Sequence, residues 1–484
     1  MRKKMLVLLL AAVICIGGCG KNPEGGSSAA NGAESGEECG YVAVLSVYED
    51  GWREVSGGEG GSAEASGGEG GSAEASGGAD GSAKEADGTG GSSEESGEKD
   101  GSEGAGSPEG KGSEGGNAES GASGSSVSDG STEAAGGDFQ AKGLAELYQE
   151  NFPIGIALSG YILQNTEKYG QVILDNFNSI TCENEMKPDS LLDRKASQAD
   201  LENTYQHAAV HFDNCMPAVE FALEHEMKIR FHTLVWHSQT PDWFFTEDYT
   251  DNGQLVDRDV MLARMENYIA DVLGYFQENY PGLIYAVDVT NEAFDIGDGD
   301  EDGIRMKKNR WYDTVGPDYY YQAFVFARKY ASEDMKLFYN DYGCTDKADM
   351  ILEHLARAKE EGLIDGIGMQ SHLSTDDKIQ YKFMLAGKKF CDAGYEVQAT
   401  ELDIGVKEDS DNAFLLQARK YRSFFKNMKA LQEEGYPITG ITVWGLNDDL
   451  SWRKDEKCLL FDGKMNPKKA YLGAMLDPSV PDVE

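Results

Sequence analysis

Residues 286–294 read AVDVTNEAF, an apolar, β-branched run that closes on an amide and a carboxylate side by side, Asn291 and Glu292. Such a run predicts a strand of the buried kind, with its polar pair carried out at the end. Working outward, the same design recurs along the chain. PIGIALS, FNSITCE, KIRFHTLVWH, YAVDVTNE, KLFYNDYG, GIGMQSHL, EVQATELDI and ITVWGLND are strand candidates. Amphipathic stretches such as MPAVEFALEHEM, VMLARMENYIADVLGYFQENY and DNAFLLQARKYRSFFKNMKALQEEG lie between them. Eight strands alternating with helices predict an α/β fold, a (β/α)8 TIM barrel, with an open doubly wound sheet as the alternative. No glycine-rich phosphate fingerprint follows the first strand, which weakens that alternative.

The polar residues collect where strands finish: Glu183 and Asn184, His232 and His237, Asn291 and Glu292, Asn340 and Asp341, Gln370 and His372, Glu401 and Asp403, Trp444 and Asn447. In a barrel the carboxyl ends of all strands meet at one face, where active sites are built. Two carboxylates flanking an acetal are the minimum equipment for glycoside hydrolysis. Glu292 closes the fourth predicted strand and Glu401 the seventh, so they face each other across the mouth. Burial beneath aromatics would raise the pKa of Glu292 and keep it a general acid. Glu401 and Asp403, two apart, point to one side of their strand, and His372 from the neighbouring strand is placed to hydrogen-bond both. Trp236, Trp243, Trp444 and Trp452 fall near the same ends and would offer sugar rings indole faces. The i,i+5 spacing of His232 and His237 does not set both rings on one side, so no catalytic metal is expected.

The first 140 residues are of another kind. MRKKMLVLLLAAVICIGGCG has a basic start and an apolar run of secretory length, ending at Cys19 in a pattern similar to a bacterial lipobox. Residues 1–18 are therefore expected to be a lipoprotein signal peptide, with lipidated Cys19 anchoring an exported protein to the outer face of a bacterial membrane without spanning it. Residues 19–140 read as an acidic, disordered linker. Of the chain's 59 glycines, 28 lie between Gly51 and Gln140, and SGGEGGSAEA occurs at Ser56 and again at Ser66, a unit with no apolar face to stack. Tyr41–Val55 is an apolar island with no partner strand. Of the formal charge of −42, −17 falls on residues 1–140 and −25 on the remainder; both parts being acidic, nucleic acid is not expected as a partner. Cysteines 182, 215, 344, 391 and 458, odd in number and irregular in spacing, read as buried free thiols.

Residues 141–484 read as one domain, and roughly residues 141–477 of it resemble glycoside hydrolase family 10, the endo-β-1,4-xylanases. Seven motifs carry the resemblance in order: FNSITCENEMK, HTLVWHSQTPDW, VTNEAF, NDYG, GIGMQSH, TELDI, and VWGLNDDLSW with LLFDGKMNPKKAY. The resemblance implies a barrel that cleaves xylan with retention of anomeric configuration, needs no cofactor, and acts as a monomer on xylan and xylo-oligosaccharides. Glu292 would be the acid/base and Glu401 the nucleophile, about 5–5.5 Å apart as retention requires. His372 would orient Glu401 with Asp403 behind it. Glu183, Asn184, Lys187, His232, Trp236, Asn291, Gln370, Trp444 and Trp452 would bind sugars on the non-reducing side, and His237 would support them. Departures are Pro188, where the family often has Trp, and Cys458, where a proline is common. A β-1,4-glucanase, or a surface polysaccharide-binding protein without catalysis, are the alternatives. The acidic loop DIGDGDEDGIRMKKNRWYD after Phe294 would shape the leaving-group side or hold calcium, although it lacks the EF-hand ligand order.

Overall fold

Strand burial follows from the runs quoted above. In the computed structural model, which describes residues 143–375 and 379–482, they form β1 (Ile154–Leu158), β2 (Ser179–Cys182), β3 (Lys228–Trp236), β4 (Ile284–Asn291), β5 (Lys336–Asp341), β6 (Gly366–Met369), β7 (His372–Ser374), β8 (Glu396–Gly405) and β9 (Ile438–Val443). β1, β2, β6 and β9 are apolar or small throughout and almost wholly buried, the signature of parallel strands covered on both faces. The expected signal peptide, Cys19, the linker and the Tyr41–Val55 island lie outside the described residues.

All pairings are parallel and run β1–β2–β3–β4–β5–β6–β8–β9 before β9 returns to β1, so the sheet closes. Eight staves surrounded by helices make the expected (β/α)8 barrel. The sixth stave differs from the expectation of one continuous strand. Ser371, with φ +71°, turns the chain through the left-handed region, so β6 stops at Met369 and β7 resumes against β8 with His372 opposite Asp403. β9 likewise ends at Val443, earlier than predicted, and Asn447 caps a 3₁₀ turn by accepting from Leu450 N at 3.2 Å.

Helices pack where their apolar residues recur every three to four positions. The helix Arg258–Asn279 buries Met261, Met265, Ile269, Val272 and Phe276 along one stripe, and its first turn is closed by Asp257 accepting from Val260 N. Asp411–Glu433 starts in the same way on Ser410; each such cap contributes about 1 kcal/mol. Inside the barrel Arg230 is paired with Asp288 (Nη2–Oδ1 2.6 Å) and donates from Nε to Gln398 Oε1 at 2.9 Å, so this buried cation is neutralised and its donors are used. The helix Leu144–Leu147 packs against the end of the helix that precedes β2, where Gly143 lies so close to the Asp175 carbonyl that a Cβ would collide with it. Tyr148 then donates to the Ala474 carbonyl at 2.6 Å, tying the first described segment to the last helix. Both contacts lie at the amino-terminal face of the barrel. All five cysteines of the barrel are buried and free, as expected.

Candidate active site

Register places the two carboxylates. Asn291 at the end of β4 stands beside Trp236 of β3 and Asn340 of β5, and Glu292 follows it with its N–H on the Asn340 carbonyl at 2.9 Å. Glu401 lies within β8, its N–H on the Gln370 carbonyl at 2.8 Å. Their surroundings differ in kind. Glu292 is half-buried and accepts from Gln370 Nε2 (2.9 Å) and Trp236 Nε1 (3.1 Å), two neutral donors. Glu401, only 5% exposed, accepts from Asn340 Nδ2 at 2.7 Å and His372 Nε2 at 3.1 Å.

Burial by itself would push the Glu401 carboxyl up. The hydrogen bonds from His372 and Asn340, with the charges of His232 and His372, outweigh it and bring the group down to about 2. His372 is the other half of that interaction. Burial opposes its charge, but Asp403 and Glu401 prevail and lift it to about 10. Asp403, fully buried, accepts from His372 Nδ1 at 3.0 Å, from Trp452 Nε1 at 3.1 Å and from Arg453. The predicted His372 bridge between Glu401 and Asp403 is therefore present, and Arg453 extends it: its Nη2 pairs with Glu456 at 2.6 Å.

On the other side of the mouth, Lys187 is buried, lies over the Trp236 ring at 4.8 Å, and donates to Gln239 Oε1 at 2.8 Å and Asn184 Oδ1 at 3.4 Å. Burial lowers its pKa against the pull of Glu401, Asp189, Glu183 and Glu292. Glu183 is raised to about 8, chiefly by burial and further by Glu185. Trp452 is 64% exposed, with its indole edge-on to His372 at 4.9 Å, an open platform on the Glu401 side of the mouth. Trp444 is buried, edge-on to His232 (5.4 Å) and His372 (6.4 Å). The Asn291 amide oxygen accepts from Asn340 Nδ2 at 2.9 Å and from Gln370 Nε2 at 3.4 Å, so the two hydrogens of the Asn340 amide are shared between Asn291 and Glu401.

Not every predicted residue reaches the mouth in the expected way. Trp243 is a core residue, edge-on to Phe244 and Tyr249 in a side loop. His232 is almost fully buried with Nδ1 on Asp288 Oδ2 at 2.9 Å, so it serves the barrel interior as well as the site floor. Burial and Arg305 drive His237 down to about 4, a neutral ring at ordinary pH. The acidic loop spends its carboxylates internally: Asp295 accepts from Gly297 N and Asp298 N, and Asp300 from Asp302 N, Ile304 N and Tyr312 Oη. Pro188 opens a short helix, Pro188–Leu191, at a position where its missing N–H costs nothing. Cys458 Sγ meets Ser451 Oγ at 3.3 Å.

Sequence reasoning placed Asn340 among the polar strand ends but gave it no role. Thr400 Oγ1 donates to Asn340 Oδ1 at 2.6 Å and so turns the amide nitrogen towards Glu401. Gln239, Arg305 and Arg453 were missed, because each acts from a loop.

The sequence matches the profile of Glycosyl hydrolase family 10 over residues 143–476. It is 40% identical over 348 residues to endo-1,4-beta-xylanase B of Butyrivibrio fibrisolvens, covering 70% of this chain and 53% of that protein. It is 40% identical over 351 residues to endo-1,4-beta-xylanase A of Thermotoga maritima, covering 70% of this chain and 31% of that one. The chain thus spans about half or less of the length of these relatives. Among solved structures, an intracellular xylanase of Thermoanaerobacterium saccharolyticum, a variant bound to xylotriose, superposes with a TM-score of 0.61 at 34% identity, covering 70% of this chain and 99% of that one.

Proposed function

Since this chain belongs to glycosyl hydrolase family 10, we propose that it is an endo-β-1,4-xylanase that cleaves xylan with retention of configuration, Glu292 acting as acid/base and Glu401 as nucleophile. The observation that carries this reading is the contrast between the two carboxylates. Glu401 is buried yet held ionised by His372 and Asn340, whereas Glu292 rests on neutral donors. In the first step a Glu401 oxygen forms a bond to the anomeric carbon as the bond from that carbon to the bridging oxygen breaks. The electron pair goes to the bridging oxygen, which takes the proton of Glu292. In the second, Glu292 takes a proton from water as that water displaces Glu401. Nothing in these steps calls for a metal or an organic cofactor.

Glu183, Asn184, Lys187, His232, Trp236, Asn291, Gln370, Trp444 and Trp452 would bind the sugars on the non-reducing side, those retained through the first step. The test is product analysis after incubation with arabinoxylan and, separately, with a soluble β-1,4-glucan, together with NMR of the first-formed anomer. Short xylo-oligosaccharides released first as the β-anomer support the reading. Release from glucan alone moves the substrate to cellulose-like polymers, and silence on both leaves a binding protein.

In the same reading the enzyme acts as a monomer and is carried on a lipid anchor at Cys19. The linker would be a spacer with a typical end-to-end distance of about 50–60 Å. Replacing Cys19 by Ala should move activity from the membrane fraction to the soluble one; unchanged partitioning removes the anchor.

A further inference from the structure

Glu292 has φ +55°, in the left-handed region that residues other than glycine rarely adopt and hold only when their surroundings impose it. The backbone on both sides of this turn is gripped. Glu292 N–H donates to the Asn340 carbonyl at 2.9 Å, Arg305 Nε donates to the Glu292 carbonyl at 3.0 Å, and Arg305 N–H donates to the Ala293 carbonyl at 2.9 Å. One residue further, Phe294 N–H donates to Tyr339 Oη at 3.2 Å and Lys347 Nζ donates to the Phe294 carbonyl at 2.9 Å.

Arg305 is itself fixed. It is 6% exposed, and its Nη2 donates to Asp295 Oδ2 at 2.9 Å and Tyr342 Oη at 2.6 Å, while Tyr342 also donates to Asp295. Asp295 is held in turn by the N–H groups of Gly297 (2.8 Å) and Asp298 (2.7 Å). The acidic loop therefore folds into a bracket around one guanidinium, and the free edge of that guanidinium is spent on the carbonyl of Glu292.

We propose that Arg305 is a positioning residue for Glu292, fixing through the backbone where the carboxyl stands for proton transfer to the leaving oxygen. This rests on the reading of Glu292 as the general acid. The proton passes to the bridging oxygen as that oxygen takes the electron pair of the breaking C–O bond. A leaving group already stable as an anion does not need it. Misplacing an acid should therefore slow poor leaving groups and spare good ones, whereas general damage slows both.

The test compares kcat/KM of the full chain for phenyl β-xylobioside and for 2,4-dinitrophenyl β-xylobioside, in the parent protein, Arg305→Met, Arg305→Lys and Glu292→Ala. Arg305→Met is expected to lose roughly a hundredfold on the phenyl substrate, the scale of an ångström-sized misplacement, and only a small fraction of that on the dinitrophenyl one. Arg305→Lys, which keeps the charge without the fork, should fall between. Equal proportional losses on both substrates for both Arg305 variants, with Glu292→Ala still discriminating between leaving groups, overturn the positioning role. A Glu292→Ala variant that does not discriminate overturns the acid assignment and the positioning role with it.

Discussion

Replacing His372 with Gln isolates what the imidazolium does for Glu401. The carboxyl is held at about 2 against an ordinary value of 4.5. At about 1.4 kcal/mol per unit, that depression corresponds to about 3 kcal/mol in favour of the ionised form. Gln keeps a donor but no charge, and a neutral hydrogen bond is about half as strong as a charge-assisted one. We therefore expect the acid limb of kcat/KM, which reports the free enzyme, to move up by roughly one pH unit. Stability at pH 6 should fall by about 1–2 kcal/mol by the same reasoning. The sign is fixed by the direction of the shift. A depressed carboxyl contributes its stability in full above pH 4.5 and loses it as pH falls towards 2, so the gap between parent and variant should close over that interval. Seen from His372, raised to about 10, the same interaction is complete below pH 6.5 and fades as pH rises towards 10; the two ends describe one pair and are not added. The assays are a pH–rate profile from pH 2.5 to 7, denaturant unfolding at pH 3 and pH 6, and a ¹³C titration of the glutamate carboxyls. An acid limb that stays in place while the rate at pH 6 falls would show that His372 works by packing and not by charge.

Glu183, raised to about 8 and so protonated in the folded protein at neutral pH, is mimicked by Gln. Its contribution is complete below pH 4.5 and lost as pH rises through 8, so the Tm of Glu183→Gln should gain on the parent over that range; a constant difference from pH 5 to pH 8 argues against the buried acid. Trp452→Ala removes an exposed platform, and KM for xylohexaose should rise roughly fivefold for a loss of about 1 kcal/mol, with kcat falling less; an unchanged KM removes Trp452 from the sugar path. The five barrel thiols are buried, with Cys215, Cys391 and Cys458 pushed up to about 12 by burial. A disulfide reagent at pH 8 should leave them untouched in folded residues 143–484 and titrate all five in guanidinium, and rapid reaction of any one in the folded protein contradicts the packing.

Periodicity made the barrel legible because parallel strands buried on both faces leave short apolar runs, here repeated eight times in alternation with amphipathic stretches. The same strand ends disclosed Glu292, Glu401, His372 and Asp403, since side chains two apart share a face and neighbouring strands share a register. What stayed hidden depends on backbone turns and on loops. Nothing in GIGMQSHL marks Ser371 as left-handed, so the break between β6 and β7 was invisible, although it is what sets His372 opposite Asp403. Trp243 looked like the other tryptophans because composition does not tell a platform from a core ring. Arg305 and Arg453 reach the site from loops whose folds rest on internal carboxylate bonds, which no period encodes.

Gly143, where the chain enters the described domain, lies against Asp175 at the amino-terminal face of the barrel, and the carboxylates sit at the opposite rim. A change that loosens the seating of this first described segment is thus separated from Glu292 and Glu401 by the length of the strands. The two ends of the same strands therefore divide the labour, one face closing the fold and the other left to the side chains that converge on the mouth.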